Sequence, residues 1–322
     1  MTISIALTEK GKTMVIDRVQ EHYEESKRYF KRNNIVGIFL QGSQNYGLET
    51  PDSDVDTKLV VTPTFNQLAF NKQPVSSTHV RENDEHIDFK DIRLYIDTFR
   101  KQNINFVEIL FTKHRILNDN YADEFMRLIK AREDIAHYNM WRAVKAMKGM
   151  AFEKYHAMEH RYPAKQHIVD KYGYDGKQLS HMIRIYDFMS RYINGESYES
   201  CMIAKNKDYL IALKEQGYYQ LEKAREVANE TIYAIASLAD DYCNTHEDGF
   251  NEKTEMLLQD VQYNIMKRSV GNELLVEAVP VRCKDCKHHE VCKNGVNGWC
   301  NEHERPTDVT YFCADGERKQ EE

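Results

Sequence analysis

An apolar run, Ile35-Val36-Gly37-Ile38-Phe39-Leu40, gives way to residues 41–53, rich in Gly, Ser, Asn, Pro and Asp, and then to a β-branched apolar run over 55–62. Short continuous apolar runs of this kind suit buried strands, and the intervening composition is that of a loop. Before this strand–loop–strand unit, residues 13–32 predict an amphipathic helix, with Val15, Val19, Tyr23 and Phe30 at helical spacing, ended by Asn33-Asn34. After it, His86-Ile87-Asp88-Phe89 predicts a further strand. Asp91 reads as the cap of a helix running to about residue 102, and the apolar run 106–111 fits helix or strand. The front of the chain is therefore expected to be mixed α+β.

Over 121–268 the texture changes. Ala, Met, Leu, Tyr and Lys/Arg dominate, proline is nearly absent and a period near 3.6 recurs. Helices are predicted near 121–132, 134–159, 177–194, 207–246 (interrupted) and 254–268, which together make a bundle. From 280 onward the chain is short, rich in Cys and His, and too poor in apolar residues to bury much core by itself. With 322 residues, the size prior favours two or three domains. The expected boundaries are 1–120, 121–272 and 280–322.

Composition narrows the function. The chain is 41% hydrophobic and 30% charged, with a net charge of -7, which disfavours a protein that coats polyanions wholesale. No apolar run approaches the roughly 20 residues that span a bilayer, and the first ten residues lack the pattern of a secretory signal. A soluble cytoplasmic protein with no membrane partner is expected.

The loop carries the chemistry. Gly42 lets the backbone approach an anion closely, and Ser43 adds a hydroxyl donor. Asp54 and Asp56 stand two apart, so at the start of a strand both carboxylates share one face. Paired carboxylates repel unless a cation neutralises them, and a hard ion such as Mg²⁺, or Mn²⁺, suits an oxygen-only set that shares its shell with phosphates. A third acid is expected nearby; Asp88, flanked by Ile87 and Phe89, is preferred to Asp91.

The string Gly42-Ser43-Gln44-Asn45-Tyr46-Gly47-Leu48-Glu49-Thr50-Pro51-Asp52-Ser53-Asp54-Val55-Asp56 resembles the signature of the polymerase-β-type nucleotidyltransferases. Within that superfamily it is similar to the RNA-ligase-associated predicted nucleotidyltransferases of bacteria and phages. Asp91-Ile92-Arg93 followed by Asn103-Ile104-Asn105-Phe106-Val107-Glu108-Ile109-Leu110 fits the same branch. Two departures are Ile104 where proline is usual and Leu94-Tyr95 where lysine commonly follows the arginine. Gly176-Lys177-Gln178-Leu179-Ser180-His181-Met182-Ile183-Arg184 resembles the branch's Lys-x-x-x-His-x-x-Arg helix. The resemblance covers roughly residues 35–195. It implies a small nucleotidyltransferase sheet with flanking helices, and metal-dependent transfer of a nucleoside monophosphate from an NTP to an acceptor: an RNA end, a protein side chain or a small molecule. It also implies a bacterial or phage-infected host cell.

Lys177, His181 and Arg184 fall at i, i+4 and i+7, one helical stripe. On spacing alone a solvated basic face is the commoner outcome; the resemblance makes the stripe a triphosphate grip. Tyr172 and Tyr174, just ahead of it, are candidates for stacking on a base. Glu108 reads as support at the core edge. In the tail, Cys283-Lys284-Asp285-Cys286 has the spacing of a zinc knuckle. The expected set is Cys283, Cys286, Cys300 and Cys313, with His303 or Cys292 as substitutes, and the tail resembles small zinc modules at the ends of phage and prophage proteins. The competing class is a non-catalytic nucleotide sensor, or nucleic-acid- or protein-binding protein, on the same scaffold.

Overall fold

The computed structural model describes residues 14–50, 53–278, 281–291, 297–302, 305–308 and 312–313. They form a mixed α+β protein, mostly helical, divided into two compact units, Met1–Lys267 and Arg268–Glu322. The first unit is built on a five-stranded sheet. Its strands are β1 (Ile35–Gln41), β2 (Asp56–Val61), β3 (Ser76–Val80), β4 (His86–Asp91) and β5 (Arg115–Leu117), in spatial order β3-β4-β2-β1-β5. Only β2 and β4 run parallel.

The helices follow in chain order. α1 (Val15–Ser26), α2 (Ser43–Tyr46), α3 (Phe65–Ala69), α4 (Ile92–Arg100) and α5 (Ile104–Val107) accompany the sheet. After them come α6 (Ala122–Lys130), α7 (Arg132–Ala136), α8 (Met140–Met158), α9 (Gln166–Tyr172) and α10 (Gly176–Tyr192). The last are α11 (Tyr198–Met202), α12 (Lys207–Lys214), α13 (Leu221–Thr245) and α14 (Glu252–Ala278). None of the described helices is long and apolar enough to cross a membrane.

Period-2 alternation sorts the sheet residues between two cores. Ile38, Leu40, Leu59 and Ile87 pack with Val19 and Tyr23 of α1. Phe39 and Val60 point the other way, as does Val36, which an irregularity between Ile35 and Gly37 takes out of the alternation, into a larger core that continues through Tyr121 and Phe125 into the helices. The rings of Phe39 and Phe125 lie 4.8 Å apart; a fully buried side chain of this kind contributes roughly 1.5–3 kcal/mol. α10 packs on α8, α12 and α13, which fixes its polar stripe relative to the helices around it.

Several predicted elements shift for local reasons. The long helix expected over 134–159 is two, because Asn139 caps α8 by accepting from Arg142 N at 2.9 Å. The one over 207–246 breaks at Gly217, whose φ is 70°. Residues 104–110 are short helical turns. β3 is an exposed edge strand whose Ser76-Ser77-Thr78-His79-Val80 carries no apolar alternation. Asp91 does cap α4, accepting from Arg93 N at 2.9 Å.

A buried polar cluster lies between α1 and β2. Glu85 is fully buried and accepts from Val55 N at 3.0 Å, Arg81 Nη1 at 2.7 Å and Asn83 Nδ2 at 2.8 Å, with Arg18 against the same carboxylate. His22 joins it, Nε2 at 3.0 Å from Glu85 and Nδ1 at 2.9 Å from Thr57 Oγ1. Burial first, then the Arg81 guanidinium, pushes the His22 pKa from 6.5 down to about 4. The contact is thus a neutral imidazole donating to a carboxylate. Between those two pH values the unfolded chain binds a proton that the native imidazole refuses, so stability falls as pH drops. The expected slope from this group is roughly 1.4 kcal/mol per pH unit. Denaturant unfolding of wild type and His22→Asn between about pH 7 and 4.5 reads it: the variant should show the flatter profile, and equal slopes would contradict the assignment.

Candidate active site

β1 delivers the chain to Gly42, whose φ of 92° and ψ of -145° are open to glycine alone without strain. A Cβ there would meet nothing within 4 Å, so the space over the turn is free for a ligand. The turn is held from beneath. Gly42 N donates to Glu108 Oε1 at 3.3 Å, and the Tyr46 hydroxyl donates to Glu108 Oε2. Glu108 is buried, and burial raises its pKa against the opposing pull of Lys58. With its amide directed to Glu108, what Gly42 offers the turn is its conformation. Ser43 Oγ makes only a long contact, 3.4 Å to Gln44 Oε1. Gln44 Nε2 in turn donates to Asp54 O at 2.8 Å, tying the turn to the carboxylate segment.

Asp56 opens β2 opposite Gln41, and Val55 is buried toward α1, so Asp54 and Asp56 both line one cavity of about 420 Å³. Asp56 accepts from His86 N at 2.9 Å. Its pKa is raised mainly by burial, with the Asp54 charge adding to the rise. A half-buried acid destabilised by a like neighbour is a place where a cation binds favourably.

Asp88 lies on the same face of the sheet, opposite Lys58 in the β2–β4 register. It accepts from Gln41 Nε2 at 3.1 Å and Thr78 Oγ1 at 2.6 Å and does not line the cavity. Lys58 is buried beside it, donating to Gln41 Oε1, with its pKa lowered by burial. Asp91, the rival third acid, is committed to its cap and to Arg93 at 2.7 Å. Among the described residues no group of three or more His, Cys, Asp or Glu side chains is disposed to hold a metal.

The opposite wall comes from α10. Its cap, Asp175, accepts from Lys177 N and from Gln216 Nε2, both at 2.9 Å. Gly176 N donates to Gln216 Oε1 at 2.8 Å, and a Cβ on Gly176 would lie 2.1 Å from Leu213 O. Only glycine allows so close a junction between α10 and the end of α12. Lys177, His181 and Arg184 line the cavity together, as the stripe predicts, joined by Lys165 and Lys214. His181 departs from the expected role: burial, reinforced by Arg184 and Lys177, holds its pKa well below 6.5, so it is a neutral hydrogen-bonding group rather than a third cation. Lys214 donates to Leu48 O at 2.8 Å. Tyr174 is fully buried, its hydroxyl 3.2 Å from Tyr219 O, and is spent on packing rather than on a base.

Sequence reasoning missed Lys165 and Lys214, which tertiary packing alone brings in. It also undervalued Glu108, for which a signal existed: a carboxylate inside the run Phe106-Val107-Glu108-Ile109-Leu110-Phe111 must find buried donors.

In the second unit, β6 (Val281–Arg282) pairs antiparallel with β10 (Phe312–Cys313), and β7 (His289–Val291), β8 (Asn297–Cys300) and β9 (Arg305–Asp308) form a three-stranded sheet. A tight turn carries Cys283 and Cys286, with Cys286 N donating to Cys283 O at 3.1 Å. Cys283, Cys286 and Cys300 are buried, and no disulfide joins any two of them. Cys313 is described in its backbone only, and Cys292 and His303 lie outside the described residues, as do Pro51 and Asp52 of the loop motif.

No protein-family model and no curated protein matches the chain.

Proposed function

We propose that the protein is a Mg²⁺-dependent nucleotidyltransferase that moves a nucleoside monophosphate from an NTP to a hydroxyl acceptor and releases pyrophosphate. The observation that carries this reading is one cavity of about 420 Å³ whose walls are the Gly42-Ser43 turn, the Asp54/Asp56 pair and the cations Lys177, Arg184 and Lys214. Carboxylates facing cations across such a space suit a metal-bound triphosphate.

Asp54 and Asp56 have the donor chemistry for Mg²⁺ or Mn²⁺, being oxygen-only, adjacent and in need of positive charge. When bound, such an ion offsets the phosphate charge and orients the triphosphate. Ser43 supplies a hydroxyl donor to the phosphates. Lys177 and Arg184 neutralise the triphosphate, and His181 contributes a hydrogen bond. The acceptor oxygen bonds to the α-phosphorus as the bond to the bridging oxygen breaks, and pyrophosphate leaves. The acceptor's proton passes to a carboxylate; Asp88, on β4 and outside the cavity lining, takes this part and the third ligand place once its bonds from Gln41 and Thr78 open. An RNA end, a protein side chain or a small molecule each offers such a hydroxyl, in the cytoplasm of a bacterium or a phage-infected host.

The hydrogen bonds that engage Asp88 with Gln41 and Thr78 favour a second reading, a protein that binds the nucleotide without turnover. Calorimetry with Mg-NTP beside a pyrophosphate assay separates the two: tight binding without pyrophosphate release decides for the binder.

For the second unit we propose one structural Zn²⁺ on Cys283, Cys286 and Cys300, with Cys313 as the fourth ligand and Cys292 or His303 as substitutes. Elemental analysis is expected to give about one zinc per chain, lost in Cys283→Ser/Cys286→Ser. Zinc-free protein whose tail resists proteolysis as well as the untreated chain would contradict this.

A further inference from the structure

We infer that Tyr46 and Glu108 are positioning residues that set Arg184 over the cavity and tie the grip on the triphosphate to the conformation of the Gly42-Ser43 turn. The inference rests on the reading of the cavity as an NTP site.

Arg184 lines the cavity from α10 but is only 4% exposed, and its Nε has no hydrogen-bond partner among the described residues. Nor does a described carboxylate lie within ion-pair distance of it. The guanidinium carbon instead sits 3.9 Å from the centre of the Tyr46 ring. A guanidinium carried over the face of a ring keeps its Nε donor for a phosphate.

The ring is itself fixed. Its hydroxyl donates to one oxygen of Glu108, and the other oxygen accepts from Gly42 N at 3.3 Å. One buried carboxylate therefore sets both the platform under the arginine and the turn across from it. Its negative charge also offsets that of the buried guanidinium without occupying its donors. An acid paired directly with Arg184 would have used the fork that a phosphate needs.

A merely structural Tyr46 would affect ligand binding independently of Arg184; a platform acts only through it. Calorimetry on the full chain with Mg²⁺ and inorganic tripolyphosphate, which removes base preference from the measurement, tests this in a double-mutant cycle. Arg184→Ala is expected to weaken binding about 30-fold and Tyr46→Leu about 10-fold. The double variant should resemble Arg184→Ala rather than show the roughly 300-fold loss of independent sites. Tyr46→Phe, which keeps the ring, and Glu108→Gln give the same cycle if Tyr46→Leu does not fold; each should lose affinity only while Arg184 is present. Losses that add, or variants at Tyr46 and Glu108 that bind as wild type does, overturn the inference while the reading of the cavity stands. Wild type that does not bind tripolyphosphate overturns that reading and the inference with it.

Discussion

Replacing Asp54 and Asp56 together by asparagine is expected to lower nucleotidyl transfer on the order of 10³-fold or more while leaving the fold intact. The two carboxylates line one cavity, and each substitution removes charge with almost no change of shape. The hydrogen bond that Asp56 accepts from His86 N survives, because the asparagine oxygen can take it. Burial and the Asp54 charge already raise the Asp56 pKa, so removing both charges relieves repulsion. The double variant should therefore melt no lower than wild type. Activity lost together with stability would point to a fold defect, and activity retained would remove the carboxylates from the reaction.

The second large effect is on stability. Glu85→Ala is expected to cost about 3–5 kcal/mol, the range for removing one partner from a buried ionic network. Arg81, Asn83, His22 and the amide of Val55 all donate to this carboxylate, and Arg18 lies against it. Its deletion leaves buried donors without an acceptor. Denaturant unfolding measures the loss; a change under about 1 kcal/mol, the ordinary scale of an exposed pair, would contradict the account. Val55 stands between Asp54 and Asp56, so Glu85→Gln, which keeps an acceptor, should retain more of both fold and turnover.

These two sites differ in how far the sequence revealed them. Asp54 and Asp56 were legible as a pair flanking one apolar residue: β2 begins only at Asp56, but Val55 between them is buried and both line the cavity. The Lys177–Arg184 stripe was legible from its helical period. Asp91 announced its cap by preceding an apolar helical run. Glu85 gave no such sign. It sits between Asp84 and His86 in a polar turn, and its donors come from α1, from residues 81–83 and from the amide of Val55. Burial that depends on contacts between distant segments leaves no local pattern.

The parallel pairing of β2 with β4 is likewise a tertiary fact. It sets Asp88 opposite Lys58 rather than Asp56, an offset of two residues that spacing cannot supply. The ionisation of His181 follows the same logic: its helical position was readable, but the burial that chiefly lowers its pKa, and the cations that add to it, were not. Glu108 lay between these cases, since its isolation among apolar neighbours demanded partners without naming them.

The central claim concerns which phosphorus is attacked, and a pair of labels decides it. Purified protein is incubated with Mg²⁺, cell extract and each NTP, labelled in parallel at the α- and the γ-phosphate. The account predicts that α-label enters an acceptor while γ-label leaves as pyrophosphate in equal amount. Entry of the γ-label into the acceptor, or binding of the NTP with neither label moved, would contradict it.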